Sequence, residues 1–220
     1  MNRLKKHRCA LFDLDGVIVD TAKYHFLAWK KIAIQCGYEL TLQDNEQLKG
    51  VSRPDSLSRI LEMAGTSLDE TTFESYLHQK NKDYLQLIQE FTSDDILPGV
   101  QAALNFLKVN KVKIGLGSAS KNALIILQKL QITSFFEVIV DGNSVQHGKP
   151  NPEVFLKGSN ALGVAAEACV VFEDSQAGID AAKAGGMTAV ALGDSKLFKN
   201  MDYCYPNFEA LDEIVMQTLF

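Results

Sequence analysis

The chain has no surplus of positive charge. Its 22 Lys and Arg face 27 Asp and Glu, a formal net charge of −5 over 220 residues. Bulk charge thus argues against a nucleic-acid partner, although a locally basic pocket for a small anion is compatible with an acidic protein. There is no Cys-x-x-Cys pair among Cys9, Cys36, Cys169 and Cys204. That removes the usual thiol metal and redox motifs and predicts buried, reduced thiols in a cytoplasmic protein. No apolar run is long enough to span a membrane. The basic start, Met1 to Arg8, is followed by an apolar run that Asp13 and Asp15 interrupt, which makes a poor signal peptide and predicts a solvated tail. Repeats and low-complexity segments are absent. The hydrophobic fraction of 46% suits one large domain, or a core with an insertion.

What is present is a series of short apolar runs that stop at polar residues. Cys9 to Phe12 leads to Asp13, and Val112 to Gly117 leads to Ser118. Val138 to Val140 leads to Asp141, Cys169 to Phe172 leads to Glu173 and Asp174, and Met187 to Leu192 leads to Gly193. Such runs read as buried strands. Helical patterns lie between them, at Val100 to Val109, Asn122 to Leu130, Pro152 to Leu162 and Ser175 to Ala184, with Ser175 as an N-cap. Alternating strand and helix predicts an α/β fold, a Rossmann-like parallel sheet covered on both faces. In that class ligands bind beyond the carboxyl ends of the strands. Asp13, Ser118, Glu173 and Asp174 would all arrive there. Residues from about 20 to 94 break the alternation and read as helical, with Leu57, Ile60, Leu61 and Ala64 at helical spacing. The expected organisation is therefore a catalytic core from residues 1–18 and 95–220, with residues 19–94 inserted as a helical cap.

The chemistry starts at Leu11-Phe12-Asp13-Leu14-Asp15-Gly16-Val17. Two carboxylates two residues apart at a strand mouth can serve one phosphorus centre. Asp13 can attack it, and Asp15 can carry the proton. Ser118 offers a hydroxyl, and Lys149 offers a positive charge in a loop stiffened by Pro150 and Pro152. Glu173 and Asp174 are hard oxygen donors of the kind Mg2+ takes. Each piece alone also reads as ordinary structure: a turn, a helix cap, a surface lysine, a charged helix start. Their joint order favours phosphoryl transfer.

With those residues in view, Asp13-Leu14-Asp15-Gly16-Val17, Ser118, Lys149-Pro150 and Glu173-Asp174-Ser175 resemble the four motifs of the haloacid dehalogenase-like superfamily. The resemblance implies an aspartyl-phosphate intermediate on Asp13. It also implies Mg2+ held by the Asp13 side chain, the Asp15 carbonyl and Asp174, with Glu173 nearby. In the inserted segment, Thr21, His25 and Trp29 share one helix face. Leu48-Lys49-Gly50-Val51-Ser52-Arg53-Pro54-Asp55-Ser56 and Lys80-Asn81 follow it. Together with Ser120-Lys121-Asn122, this set resembles the sugar-phosphate mutases of the superfamily. That implies interconversion of β-D-glucose 1-phosphate and glucose 6-phosphate through the 1,6-bisphosphate. Arg53 suits a second phosphate because guanidinium binds that group bidentately. By the resemblance, Ser120, Lys121 and Asn122 complete that clamp. Thr21 and His25 act beside Asp15, Lys49 and Lys80 meet the sugar, and Trp29 packs at the hinge. The sequence leaves two rivals, a sugar-phosphate phosphatase and a non-catalytic sugar-phosphate sensor. The cap pattern shows no exposed apolar stripe, so a monomer is expected. His147-Gly148 before Lys149 departs from the family pattern.

Overall fold

The computed structural model describes residues 7–220. Six strands form one parallel sheet in the order β3-β2-β1-β4-β5-β6. They are β1 (Cys9–Phe12), β2 (Lys113–Gly117), β3 (Val138–Val140), β4 (Cys169–Glu173), β5 (Thr188–Leu192) and β6 (Tyr203–Tyr205). β1 lies at the centre, with Phe12 opposite Leu116 on one side and Phe172 on the other. Helices cover both faces, so alternate residues of β1 enter different cores. Ala10 and Phe12 pack with Leu116, Phe172 and Phe208. Cys9 and Leu11 pack with Phe155, Val171 and Ile179. This two-sided burial is why the central strands read as continuous apolar runs.

Four helices separate β1 from the rest of the sheet. They are α1 (Ala22–Gln35), α2 (Leu42–Glu46), α3 (Arg53–Ala64) and α4 (Glu70–Leu87). Their starts are written in capping chemistry. Thr41 and Asp44 form a capping box at α2, Ser52 caps α3, and Asp69 caps α4. Gly65 ends α3 in the left-handed conformation. Trp29, Ile32, Leu57, Ile60, Leu61 and Leu77 bury one another in a third apolar cluster. Further along α4, Tyr84 and Ile88 join the sheet-side core instead. The later helices are α5 (Val100–Val109), α6 (Ala123–Lys129), α7 (Glu153–Ala161), α8 (Gln176–Ala184) and α9 (Glu213–Leu219).

Several expectations need correction. β6 and α9 had no counterpart in the strand and helix runs. Residues 1–6 of the expected solvated tail lie outside the described residues. His7, however, is anchored: its ring contacts the Leu219 carbonyl at 2.6 Å and Thr188 Oγ1 at 2.8 Å. Cys9 and Cys169 are buried as expected, but Cys36 and Cys204 are only half-buried. On α1, Leu27 and Ile34 are exposed, as is Leu42 on α2. They are single exposed apolar residues on two helices and form no contiguous stripe. Among the described residues no helix is long and apolar enough to cross a membrane.

Candidate active site

The ladder between β1 and β4 runs one residue past the strand, with the Asp13 amide bonded to the Phe172 carbonyl at 3.0 Å. Asp13 is thereby fixed at the central strand mouth with its carboxylate buried. The chain then turns at Gly16, whose φ is +83°. A Cβ there would lie 2.0 Å from an Asp174 carboxylate oxygen, so only glycine permits this approach. Glu173, the last residue of β4, is fully buried. Its carboxylate accepts from the Ser175 amide and hydroxyl at 3.1 and 2.9 Å. Lys149 lies beneath, donating to Asp13 and to Glu173, both at 2.5 Å. The Lys149–Pro150 peptide is cis.

Carboxylate oxygens of Asp13, Glu173 and Asp174 all lie within 4.8 Å of one another. Burial pushes the Asp13 carboxyl up to about 7, with Lys149 opposing and Glu173 and Asp15 adding to it. Burial and the charges of Glu173 and Asp13 raise Asp174 well above the usual carboxylate range. With all three carboxylates ionised, the single ammonium of Lys149 would leave two negative charges uncompensated, which is why Asp13 and Asp174 are pushed upward. A hard divalent cation fits that deficit and that donor set. The Asp15 side chain stands outside this cluster and turns the other way.

Asp15 faces the start of α1. It accepts from the Thr21 hydroxyl and lies 3.6 Å from His25 Nε2. Burial alone would raise its carboxyl, but His25, Thr21 and Lys80 together hold it below the usual range. On the other side of the imidazole, Lys80 Nζ is 2.7 Å from Nδ1. An ammonium only donates, so Nδ1 accepts and Nε2 carries the proton toward Asp15. Burial and Lys80 lower the imidazole pKa, with Asp15 opposing, which favours the neutral ring. Lys80 itself is buried over the rings of Trp29 and Tyr84, at 4.9 and 4.8 Å. Burial and the nearby Arg53 pull its pKa down from 10.5 to about 7.

That depression has a sign that stability measurements can read. Between about pH 7 and 10.5 the unfolded chain holds a proton that native Lys80 has released. The contribution of Lys80 to native stability therefore rises with pH across this window. Lys80→Met removes the cost of burying the charge. In anion-free buffer the variant is expected to melt above the wild type below pH ~7, with the gap closing as pH climbs toward ~10. A gap that is constant with pH would contradict the buried-ammonium account.

The remaining wall comes from the segment before α3 and the loop after β2. Gly50, at φ +70°, lets its backbone approach Ser175; a Cβ there would sit 2.3 Å from Ser175 Oγ. Lys49 is paired with Glu46 at 2.8 Å. Arg53 opens α3, and among the described residues no carboxylate or hydrogen-bond acceptor engages its guanidinium. After β2, the Ser118 hydroxyl accepts from the Ser120 amide at 3.0 Å, and Ser120 Oγ accepts from the Asn122 amide at 3.2 Å.

One cavity gathers most of the residues singled out in the sequence. Asp13, Asp15, Thr21, His25, Lys49, Gly50, Val51, Arg53, Lys80, Ser120, Lys121, Asn122 and Asp174 all line it. Ser118, Lys149 and Glu173 do not line it; they are buried behind Asp13. Ser52 departs from expectation. Its hydroxyl caps α3 by accepting from the Asp55 amide at 3.3 Å and donates to the Asp55 carboxylate at 2.5 Å, and the residue lies outside the cavity wall. Sequence reasoning missed Asn45 and Ser56, which do line it. Asn45 belongs to no motif, whereas Ser56 closes the run from Leu48 read in the sequence, one turn along α3, without having been singled out there as a site residue. Trp29, expected at a hinge, lines the cavity as well as packing in the third cluster.

Residues 10–192 match the haloacid dehalogenase-like hydrolase family. A β-phosphoglucomutase from Bacillus subtilis (strain 168) is 45% identical over 191 residues, covering 86% of this chain and 84% of that protein. A phosphorylated carbohydrates phosphatase from Thermotoga maritima is 32% identical, over 84% and 87% of the two chains. The crystal structure of β-phosphoglucomutase from Clostridium difficile superposes with a TM-score of 0.93 at 40% identity, covering 97% of this chain and 96% of that one. With a family match that runs from β1 through β5 and includes the helices inserted after β1, the chain belongs to the haloacid dehalogenase-like hydrolase family.

Proposed function

We propose that the protein is a β-phosphoglucomutase of the cytoplasm. It interconverts β-D-glucose 1-phosphate and glucose 6-phosphate through β-glucose 1,6-bisphosphate. The observation that carries this reading is the pairing, in one cavity, of the Asp13 and Asp15 carboxylates with an unengaged Arg53. A hydrolase of small phosphate esters needs the carboxylates alone. A guanidinium held half-buried without an anion suits a substrate with a second phosphate.

In this reading, phosphorylated Asp13 meets the C6 hydroxyl of β-glucose 1-phosphate. The hydroxyl oxygen bonds to phosphorus, the Asp13–phosphorus bond breaks, and Asp15 takes the hydroxyl proton. The bisphosphate then turns end for end. Asp13 attacks the C1 phosphate, and Asp15 returns the proton to the departing C1 oxygen. Thr21 and the neutral His25 hold Asp15 in place for both transfers. Lys149 orients Asp13 and shares its charge, while Ser118 organises the loop behind the reacting phosphate. Mg2+ at Asp13, the Asp15 carbonyl and Asp174, with Glu173 nearby, supplies positive charge to the phosphoryl oxygens when bound. Arg53, Ser120, Lys121 and Asn122 grip the distal phosphate, and Lys49 and Lys80 meet the sugar. Residues 19–94 act as a cap on the core of residues 1–18 and 95–220. Closing it excludes water, so that the sugar hydroxyl is the acceptor.

The test is a product assay with β-glucose 1-phosphate, Mg2+ and trace bisphosphate, scoring glucose 6-phosphate against inorganic phosphate. Glucose 6-phosphate is the expected product. Phosphate alone would make the protein a sugar-phosphate phosphatase, the activity for which its Thermotoga maritima relative is named. No turnover and no labelling of Asp13 would favour a sensor. Arg53→Ala is expected to lower kcat/KM for isomerisation by at least about a hundredfold, the scale of a lost charge-assisted bidentate contact. It should also raise the share of turnovers that end in phosphate. An unchanged product ratio would remove Arg53 from the distal clamp.

A further inference from the structure

Lys80 and Asn81 are adjacent on α4, yet they face different partners. Lys80 lies against His25, whereas Asn81 reaches the loop after β2. There the Asn122 side-chain amide donates to Asn81 Oδ1 at 2.9 Å, across 41 residues of sequence. Asn122 is buried and lines the cavity; Asn81 is half-buried behind it. Resting on the reading above, we infer that Asn81 is a positioning residue for the distal phosphate clamp. Its oxygen fixes the Asn122 amide and ties the clamp to the helical side of the cavity.

A side-chain amide has an acceptor end and a donor end of similar shape. Turned the wrong way, Asn122 would set its carbonyl oxygen against the Asn81 oxygen. With Asn81 presenting Oδ1, as it does here, the contact holds Asn122 in one amide orientation and leaves one of its N–H groups for an anion. The rest of the loop is held from the sheet side. The Asn143 side-chain amide donates to the Lys121 carbonyl at 3.0 Å, and the Gly142 amide donates to the Ser120 carbonyl at 3.2 Å. Asn81 is thus the tether that comes from the inserted helices. Its bond exists only while α4 lies against the loop, so clamp assembly and closure are one event. Fixing the rotamer in advance lowers the ordering cost of binding a phosphate.

A double-mutant cycle on the full chain tests this, with Asn81→Ala, Asn122→Ala and both together assayed for isomerisation. Asn81→Ala is expected to raise KM about tenfold, the value of one well-placed hydrogen bond, with a smaller change in kcat. Because Asn81 acts through Asn122, adding Asn81→Ala to Asn122→Ala is expected to change KM less than about twofold. The released-phosphate fraction is expected to rise in the single variants, since a loosened cap admits water. An unchanged KM for Asn81→Ala, or a full further tenfold in the double variant, would overturn the inference. Melting curves monitor folding, and Asn81→Ser, too short to reach Asn122, repeats the test if the alanine variant melts early. A wild type that releases only phosphate would overturn the proposed function and this inference together. A wild type that isomerises, with Asn81→Ala behaving identically, would overturn the inference alone.

Discussion

Asp13→Asn is expected to abolish isomerisation, lowering kcat by at least about a thousandfold. The substitution keeps the size of the side chain and removes the nucleophilic oxygen charge. An amide oxygen is a poor nucleophile toward phosphorus, and no neighbour can replace it. The Glu173 carboxylate is committed to Lys149 and Ser175, while Asp15 is turned to Thr21 and His25. The fold itself should tolerate the change. Burial and like charge already push the Asp13 carboxyl up to about 7, so its ionised form is not a net stabiliser of the empty protein. Lys149 retains Glu173 as a partner. The variant is therefore expected to melt near the wild type while losing activity. Incubation with acetyl phosphate, followed by mass analysis, should show a phosphoryl adduct on wild-type Asp13 and none on the variant. Retained turnover, or an adduct on another residue, would remove Asp13 from the chemistry.

The residues show why some of this was legible in sequence and some was not. β1, β2, β4 and β5 are buried on both faces, so each is an apolar run whose end marks the site. β6 is an edge strand, and Tyr203-Cys204-Tyr205 is exposed to half-buried between Asp202 and Pro206. It lacks the two-sided burial that produces such a run. Asp13, Asp15, Glu173 and Asp174 were legible because strand ends carry them to one place, a consequence of topology alone. Ser52 is ambiguous in sequence because serine beside a helix start has two uses, and here its hydroxyl serves the N-cap. Its hydroxyl bonds Asp55 three residues on, which is local chemistry that Pro54 and Asp55 announce. Asn45, on α2, has no fixed offset from any motif, and Ser56, on α3, ends the run from Leu48 as one more polar helix residue with nothing in its type to set it apart. The Asn81–Asn122 contact joins segments 41 residues apart, and only the packing of α4 against the β2–α6 loop creates it. Periodicity identifies which face of a helix is buried, not which loop that face will meet.

Lys149→Met is expected to be the most destabilising change at the site. It removes the one ammonium, among the described residues, that touches both Asp13 and Glu173, leaving their carboxylates buried without that counter-charge. Breaking a buried pair from one side costs about 3–5 kcal/mol. For a chain of this size each kcal/mol moves Tm by about 2–4 °C, so a fall of roughly 6–20 °C is expected in chelator at pH ~8. The pH dependence has a definite sign. Asp13 is raised from 3.8 to about 7 even with Lys149 present, so the native state holds a proton that the unfolded chain releases between those values. Stability from this group is present at low pH and lost as pH rises through the window. Without the lysine the window extends upward, so the deficit of the variant should be largest above pH ~7 and shrink toward pH ~5. A divalent cation offers the same carboxylates another counter-charge. Millimolar Mg2+ is therefore expected to raise the Tm of Lys149→Met by more than it raises that of the wild type. Equal melting of the two proteins at pH ~8, indifferent to both acid and Mg2+, would mean that Lys149 does not neutralise this cluster. The charge balance on which the metal fit and the activation of Asp13 both rest would then fail with it.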